Sequence, residues 1–294
     1  MVLPSIIVGL DETLPGVPSH HDVYSTIDPQ IHFSEGTYRD KVVLITGASR
    51  GIGAETARYY ARAGAVIALV ARDPTLLDSV KAEILQDVPE ARVLAFAADV
   101  KDTSRVKEVV ETTIQTFGRL DILIANAGAV RPFHKPFASL DPEGWWNTVE
   151  VNLRGVYNFV HFAIPHIQEA NGYVVAVSSA AAQIRGIGAS DYCLSKHALG
   201  RFIEFIPLEY PGVRAFSLHP GACDTTLGHD ARSGIPMVDS LALPAATSLY
   251  LTSGKADWLS GRYLSATWDM GEVEKRWKAK VLDNNGLHLW QLTR

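Results

Sequence analysis

The sequence has very little cysteine, since Cys193 and Cys223 are the only two among 294 residues. Small secreted domains that depend on disulfides contain many more, so a disulfide framework is excluded. The two thiols could pair with each other, but we expect both to stay reduced. The scarcity of cysteine therefore favours a cytoplasmic protein.

Long apolar runs and an excess of basic residues are also missing. No run reaches the roughly 18 uninterrupted apolar residues of a membrane-spanning helix. The apolar start at residues 2–10 contains Pro4 and Gly9 and has no basic lead-in, unlike a secretory signal. The net charge of −5 offers no basic face for nucleic acid, and no spacing of His, Cys, Asp and Glu suggests a metal site. We therefore expect a small-molecule partner, with no nucleic acid, membrane or metal.

What the chain does contain is a regular alternation of predicted strands and helices, which follows a less regular first segment. Residues 1–37 are rich in Pro, Gly, His and Asp and follow neither a strand nor a helix period, which predicts an irregular extension wrapped on the surface. Residues 41–46 form a short apolar run typical of a strand buried on both faces. Further strands are predicted at 65–71, 92–97, 121–125, 172–178 and 213–218, and helices at 75–86, 103–117, 142–168 and 190–209.

This alternation implies right-handed crossovers and a mainly parallel sheet with helices on both faces. The predicted fold is therefore α/β, a single doubly wound Rossmann-type domain over residues 38–270, with a C-terminal tail at 271–294. Pro207 should end or kink the helix predicted at 190–209, because proline lacks the N–H that a helix uses.

A glycine-rich turn at residues 46–53 joins the first strand of this domain to its helix, with the spacing G-x3-G-x-G. Glycines allow a tight turn and let backbone N–H groups approach a pyrophosphate, whose charge the helix N-terminus stabilises. Such a turn alone is weak evidence for a cofactor site. Its place between a buried strand and a helix makes it strong evidence for a nucleotide cofactor. The cofactor-binding residues predicted in the turn are Gly47, Ser49, Arg50, Gly51, Ile52 and Gly53.

The end of the second strand bears on which nicotinamide cofactor is used. NAD sites usually place an acid there to bind the ribose 2′-hydroxyl. Here the position reads Ala71-Arg72, and Arg50 supplies a second guanidinium suited to a 2′-phosphate. NADP(H) is therefore predicted over NAD(H). The alternative is that Arg72 is only a solvated residue and that Asp73 acts as the NAD-type acid.

Four polar residues further along the chain form a pattern that is defined by their order and by the spacings between them. Tyr192 and Lys196 form a Tyr-x3-Lys pair, Ser179 lies 13 positions before the tyrosine, and Asn152 lies 27 positions before that serine. Each alone would suit an ordinary structural role. Together, and with Asn126-Ala-Gly after the fourth strand, they resemble the short-chain dehydrogenase/reductase family over residues 38–270.

That resemblance implies roles for the four residues. Tyr192 is the acid/base, and Lys196, one helical turn away, is expected to lower the cost of ionising the phenol and to hold the nicotinamide ribose. Ser179 stabilises charge on the substrate oxygen. Asn152 anchors a water that relays protons to Lys196. The neighbouring Ser178 is a less suitable candidate than Ser179, because its spacing to the tyrosine is wrong.

The same resemblance implies further cofactor contacts. Asp99 and Val100 would meet the adenine, with a helix-capping turn as the alternative for Asp99. The remaining contacts predicted for the cleft and the nicotinamide carboxamide, besides Tyr192 and Lys196 themselves, are Asn126, Gly128, Pro220, Gly221 and Thr225. The alternative for Thr225 is a plain helix N-cap.

Specificity for the substrate is expected from loops after the strands, at residues 130–138, 180–191 and 227–240. Their side chains Phe133, His134, Ile184, Ile187 and Met237 favour an apolar or aromatic compound. His134 and His229 are interpreted as surface residues, with substrate contact as the alternative.

The sequence thus predicts an NADPH-dependent oxidoreductase that interconverts a carbonyl and a secondary alcohol. Two alternatives stay open, a non-redox cyclase, dehydratase or epimerase on the same scaffold and an NADPH-sensing binding protein. Family resemblance also implies a homodimer or homotetramer formed through the two long helices after the fourth and fifth strands.

Overall fold

The computed structural model describes residues 7–9, 14–283 and 286–287, with the backbone alone for 7–9. Its strands are β1 Ile7–Gly9, β2 Val42–Thr46, β3 Val66–Ala71, β4 Val93–Ala97, β5 Ile122–Ala125, β6 Tyr173–Val177, β7 Ile184–Gly186, β8 Arg214–His219 and β9 Arg262–Ser265. Its α-helices are α1 Gln30–Glu35, α2 Gly51–Arg62, α3 Pro74–Asp87, α4 Thr103–Phe117, α5 Pro142–Val149, α6 Gly155–Glu169, α7 Ser190–Glu209, α8 Thr226–Ala231, α9 Ala242–Thr252 and α10 Met270–Asp283.

Seven strands form one sheet in the order β4-β3-β2-β5-β6-β8-β9, and each neighbouring pair is parallel. The predicted doubly wound α/β fold is confirmed. β9 was not predicted, because its four residues, Arg262–Ser265, are too short and too polar to read as a buried strand.

Helices cover both faces of the sheet, and successive residues of β2 face opposite layers. Val43 and Ile45 pack into a core with α2, α9 and α10, whereas Val42 and Leu44 pack into a second core with α4, α6 and α7. All five residues of β2 are buried, which explains its almost wholly apolar sequence. Within the described part of the chain, none of the helices has both the length and the hydropathy of a membrane span.

The helix predicted at 142–168 is interrupted. α5 and α6 are joined by a π-helical turn, Glu150–Arg154, which contains Asn152. This π turn has only five residues, about one turn of helix, which is too short to change the apolar pattern recognisably. α7 matches the predicted range and contains Pro207 in its last turn, so the proline lies at the end of the helix, as expected.

The segment predicted to be an irregular extension has more structure than expected. α1 lies within it, ended by Gly36 in the left-handed conformation, but its six residues are too few to show a period. Leu14 and Ile27 are buried in the main core, and β1 pairs antiparallel with β7. The described part of the extension is therefore packed into the domain rather than wrapped loosely around it.

Candidate active site

The candidate site lies where β2 and β5 end side by side. The chain continues from β2 towards one edge of the sheet and from β5 towards the other, so a crevice opens beyond their carboxyl ends. The glycine turn at residues 46–53 follows β2, and Asn126 follows β5. This topology brings the predicted cofactor residues and the predicted catalytic residues to the same end of the sheet, beyond the carboxyl ends of its strands.

Two glycine positions of the turn, Gly47 and Gly53, have no room for a side chain. Gly47 has a φ of 65°, and a Cβ there would lie 2.8 Å from Asn126 Nδ2 and 2.9 Å from Ala127 Cα. A Cβ on Gly53 would lie 2.4 Å from the Gly47 carbonyl oxygen. α2 begins in this turn, and its N-cap residue makes no capping hydrogen bond through its side chain. The turn therefore presents backbone N–H donors and the positive end of a helix dipole, which fit a pyrophosphate.

Asn126, predicted to line the cofactor cleft, holds the glycine turn in place. Its Nδ2 donates to the carbonyl oxygens of Thr46 at 2.9 Å and Gly47 at 3.1 Å. The backbone N–H groups of Asn126 and Ala127 both donate to Thr46 Oγ1 at 3.0 Å. The end of β5 is thus tied to the end of β2, and the shape of the turn depends on this asparagine.

Arg50 and Arg72 are both exposed beside the turn. Ala48 N donates to the carbonyl oxygen of Val70 at 3.1 Å, which keeps the glycine turn against the end of β3. Within the described residues, neither guanidinium forms a salt bridge. The Asp73 carboxylate accepts from the N–H groups of Thr75 and Leu76 as the N-cap of α3.

The residues predicted to meet the adenine follow β4. Asp99 Oδ1 accepts from Lys101 N at 2.9 Å in a tight turn, whereas the side chain that caps α4 is that of Asp102. Val100 is buried against α6, and a Cβ on Gly155 would lie 2.4 Å from its Cγ2. The side chain of Val100 is therefore committed to packing, and its contact with adenine stays a prediction.

The four predicted catalytic residues converge beside the crevice. Ser179 follows β6, Tyr192 and Lys196 lie one turn apart on α7, and Asn152 lies in the π-helical turn. Tyr192, Lys196 and Asn152 are buried. Lys196 Nζ lies 5.8 Å from the centre of the Tyr192 ring, and Ser179 Oγ accepts from Ala181 N at 3.1 Å.

The electrostatics of this pair differ from the expectation that Lys196 eases ionisation of the phenol. Burial raises the pKa of Tyr192 to about 12, an effect that the hydrogen bond with Ser179 only partly opposes. Burial also lowers the pKa of Lys196 to about 8, and its Nζ donates to the carbonyl oxygen of Val177 at 2.7 Å. Both side chains leave water, and desolvation disfavours the charged form of each. The phenol is protonated at neutral pH.

Asn152 links the catalytic helix to the segment after β5. Its Nδ2 donates to the Ala129 carbonyl oxygen at 2.9 Å and to Ser195 Oγ at 3.0 Å, and its Oδ1 accepts from Ala129 N at 2.8 Å. Ser195 Oγ in turn donates to the Tyr192 carbonyl oxygen at 2.8 Å. A Cβ on Gly128 would lie 3.4 Å from Asn152 Oδ1, so the backbone of this glycine packs directly against the asparagine side chain. The predicted water relay stays a prediction, because both amide hydrogens are used within the protein.

The segment predicted to meet the nicotinamide follows β8. Gly221 has a φ of 92°, and a Cβ there would lie 2.6 Å from Asp239 Oδ2. Thr225 Oγ1 accepts from Gly228 N at 3.1 Å as the N-cap of α8, and its Cγ2 would lie 3.3 Å from a Cβ on Gly51. Thr225 therefore both caps a helix and lies against the glycine turn.

A cavity of about 480 Å³ opens in front of Ser179 and Tyr192. All three loops predicted to set specificity contribute to its wall. Its apolar side chains include Val130, Phe133, Ile184, Ile187, Leu227, Ile235 and Met237. No lysine or arginine among the described residues lines it.

The two loop histidines lie outside this wall. His134 Nδ1 is bonded to the Pro132 carbonyl oxygen, and His229 forms an exposed pair with Asp224. Both positions agree with the surface interpretation. Among residues 14–283, the structure also has no cluster of His, Cys, Asp and Glu able to hold a metal.

Two carboxylates at the site were missed by the sequence analysis. Asp239 lies in the cavity wall, and Asp191, fully buried and next to Tyr192 in the chain, accepts from Arg131 Nε at 2.7 Å. Neither belongs to a local motif, because their side-chain partners, Arg131 and His21, lie 60 and 218 positions away in the chain. The ring of Phe133 also lies 6.0 Å from that of Tyr192, centre to centre.

Comparison with known proteins agrees with this geometry. Residues 41–235 match the family model described as short chain dehydrogenase. The chain is 38% identical over 280 residues to "Short chain dehydrogenase mpl6" of Monascus purpureus, covering 92% of this chain and 93% of the relative.

Two solved structures share the fold at moderate identity. Levodione reductase aligns with a TM-score of 0.73 and 28% identity, covering 78% of this chain and 96% of its own. An alcohol dehydrogenase from the archaeon Thermococcus sibiricus, complexed with 5-hydroxy-NADP, aligns with a TM-score of 0.67 and 30% identity, covering 76% and 95%.

Proposed function

This chain belongs to the short-chain dehydrogenase family and is an NAD(P)-dependent oxidoreductase, and from that premise we propose that it uses NADPH to interconvert a carbonyl and a secondary alcohol. The proposed substrate is a small apolar or aromatic compound. The observation that carries the proposal is that Ser179 and Tyr192 both line the wall of one apolar cavity.

The proposed mechanism uses the protonated phenol as an acid. When bound, the nicotinamide ring supplies the hydride. Tyr192 donates its proton to the carbonyl oxygen, and Ser179 donates a hydrogen bond to the same oxygen as negative charge develops there. Lys196 is mainly cationic at pH 7, since its pKa is about 8, and stabilises the phenolate left after proton transfer. Because the pKa of Tyr192 is about 12, the phenol carries at neutral pH the proton that carbonyl reduction needs.

The residues proposed to hold the cofactor follow the crevice from one end to the other. The glycine turn receives the pyrophosphate, Asp99 and Val100 the adenine, and Lys196 the nicotinamide ribose. Gly128 lies beside Lys196, and a Cβ there would be 3.8 Å from its Nζ. Pro220, Gly221 and Thr225 complete the nicotinamide end.

The preference for NADPH rests on charge. Arg50 and Arg72 are exposed beside the end of β3 and are available to a 2′-phosphate. Asp73, the acid that would favour NADH, already spends one carboxylate oxygen on capping α3. Two cations with no salt-bridge partner among the described residues suit a dianion better than a ribose hydroxyl.

The preference for a neutral substrate rests on the cavity. Its wall lacks lysine and arginine within the described chain, so an anionic compound would leave water without a compensating charge. The one carboxylate in the wall, Asp239, is engaged by protein donors. A ketone with apolar or aromatic groups would fill the cavity at the smallest desolvation cost.

We also propose how the chain is organised. Residues 1–37 form the extension, 38–270 the catalytic domain and 271–294 the tail of a cytoplasmic enzyme whose two cysteines are free thiols. Trp146, Tyr157 and Phe205, on α5, α6 and α7, are exposed on one apolar face that suits a homodimer or homotetramer. Light scattering of the wild type and of Tyr157→Glu would test this, with a smaller particle expected for the variant.

The deciding experiment follows the near-ultraviolet absorbance of NADPH, and separately of NADH, with a panel of ketones, quinones and aldehydes. We expect faster oxidation of NADPH, and a loss of at least ~100-fold in kcat for Tyr192→Phe. Tyr210→Phe, just beyond the end of the same helix, is the matched control and should keep full activity. Faster turnover with NADH would contradict the cofactor preference. Tight NADPH binding without oxidation on any substrate would contradict hydride transfer.

A further inference from the structure

The N-terminal extension reaches the active site through two neighbouring histidines. His20 Nε2 donates to Asp269 Oδ2 at 2.8 Å, and His21 Nδ1 donates to Asp239 Oδ1 at 2.6 Å. The two pairs share their chemistry and differ in what the aspartate does next. Asp239 belongs to the wall of the cavity, whereas Asp269 caps α10 by accepting from Glu272 N at 2.9 Å.

Asp239 joins the extension to the turn after β8. Its Oδ1 faces His21, and its Oδ2 accepts from Ala222 N at 2.5 Å. The Asp239 N–H donates back to the Ala222 carbonyl oxygen at 3.2 Å. A Cβ on Gly221 would collide with this carboxylate, at 2.6 Å from Oδ2. The carboxylate therefore lies directly against the turn and sets the path of its backbone.

The extension is also hydrogen-bonded to Ser240, the residue after Asp239 in the same loop. Ser240 Oγ donates to Asp22 Oδ1 at 2.6 Å, and Ser240 N donates to the His21 carbonyl oxygen at 2.9 Å. Two consecutive residues of the extension thus hold two consecutive residues of the loop. A side chain alone could rotate away, but this double attachment fixes the direction of Asp239.

The turn needs such support for two physical reasons. Gly221 has the broadest backbone freedom of any residue, so nothing in its own chemistry selects one conformation. Asp239 is only 7% exposed, and a buried carboxylate is stable only when donors surround it. His21 and Ala222 supply those donors, so the pair and the turn stabilise each other.

We propose that Asp239, held by His21, is a positioning residue that fixes the Pro220–Ala222 turn in the shape that receives the nicotinamide end of the cofactor. The inference rests on the proposed function and extends it to a segment outside the matched family region, residues 41–235. The N-terminal extension is then a working part of the active site.

The experiment compares two ligands on the full-length protein. One is NADPH, and the other is 2′-phospho-ADP-ribose, which is NADP without its nicotinamide. Dissociation constants are measured by calorimetry in the absence of substrate, so no turnover is needed. His21→Ala should weaken NADPH binding about 10-fold, the value of one charge-assisted hydrogen bond, and should leave binding of the fragment within about twofold.

Two further variants separate positioning from general stability. In His21→Asn the amide Nδ2 can replace Nδ1 as the donor to Asp239, and it should restore NADPH affinity to within about threefold of wild type. His20→Ala removes the neighbouring histidine–aspartate pair and should lower the melting temperature without changing the affinity for either ligand. His21 has its side chain mostly exposed, so its variants should fold.

Three outcomes would overturn the inference. Unchanged NADPH affinity in His21→Ala would show that the turn holds its shape alone. Equal losses for NADPH and the fragment, or the same losses in His20→Ala, would show that the extension only stabilises the fold. A folded wild type that binds neither ligand would overturn the proposed function, and the inference with it.

Discussion

The two halves of the active-site crevice are built from different materials. On the cofactor side, the surface is backbone, with Gly47 and Gly53 packed so closely that a single methyl group would collide with neighbouring atoms. On the substrate side, the surface consists of side chains from three loops, around a cavity of about 480 Å³. Ser179, Tyr192 and Lys196, the proposed catalytic residues, lie where the two halves meet.

This difference teaches which half can change. A backbone surface recognises one invariant group, because any added atom blocks it. A wall of loop side chains can be altered residue by residue while the strands beneath it stay the same. We therefore expect substitutions on the cofactor side to abolish binding and those on the substrate side to change specificity.

The largest expected effect is on the cofactor side. In Gly53→Ala the new methyl group meets the Gly47 carbonyl oxygen and Asn126 Nδ2, neither of which can move without breaking the turn. Calorimetry should find NADPH affinity reduced at least ~100-fold and stability reduced by about 1–3 kcal/mol. Gly144→Ala in α5 is the control, since its methyl group would meet only the ends of side chains. Normal NADPH binding by Gly53→Ala would refute the backbone description.

The next effect tests the boundary between the halves. Ser179→Ala removes a donor to the substrate oxygen and should lower kcat about 100-fold. Ser178→Ala is the matched control, because the Ser178 hydroxyl is buried and lacks a hydrogen-bond partner among the described residues. Steady-state kinetics should find Ser178→Ala within about threefold of wild type. A larger loss for Ser178→Ala than for Ser179→Ala would reverse the assignment.

A smaller effect concerns Lys196, which both halves share. Its pKa is about 8 in the native protein and 10.5 ordinarily, so between these pH values the unfolded chain binds a proton that the native chain does not. Native stability should therefore rise as the pH increases from 8 to 10.5. Lys196→Met removes this dependence and should stabilise the cofactor-free protein at pH 7 by at most about 3 kcal/mol.

Loss of the bond to the Val177 carbonyl oxygen offsets about 1 kcal/mol of that gain. Urea unfolding at pH 7 and pH 10 measures the difference, which should shrink at the higher pH. Lys255→Met, an exposed lysine, should have no such effect. A variant that gains stability only at the higher pH would contradict the effect of burial.

The smallest effect sharpens the cofactor preference. Arg72→Ala should raise the Kd for NADPH about 10-fold and leave the Kd for NADH unchanged, because only the 2′-phosphate is affected. Arg62 lies at the C-terminal end of α2, whereas the glycine turn lies at its N-terminal end. Arg62→Ala therefore removes the same charge far from the crevice and should alter neither Kd. Equal effects of Arg72→Ala on both cofactors would favour the alternative in which Asp73 binds the ribose.

Long buried elements were predictable from the sequence, and short or paired ones were not. β2 and β3 read as apolar runs because both faces of a parallel strand are covered. The turn Glu150–Arg154 was hidden because five residues are about one helical turn, too few for a π-helical spacing to be recognised. α1 and β9 span too few residues to show any period.

The site divides in the same way. Tyr192 and Lys196 are four positions apart, and Gly47, Gly51 and Gly53 fall within seven residues, so the sequence alone determined the local arrangement within each of these two groups, along with the α/β fold that carries them. Only the tertiary structure decided that burial raises the pKa of Tyr192, and that Asp239 would meet His21 from 218 positions away. Local spacing is set by covalent geometry, whereas desolvation and long-range pairing exist only once the chain has folded.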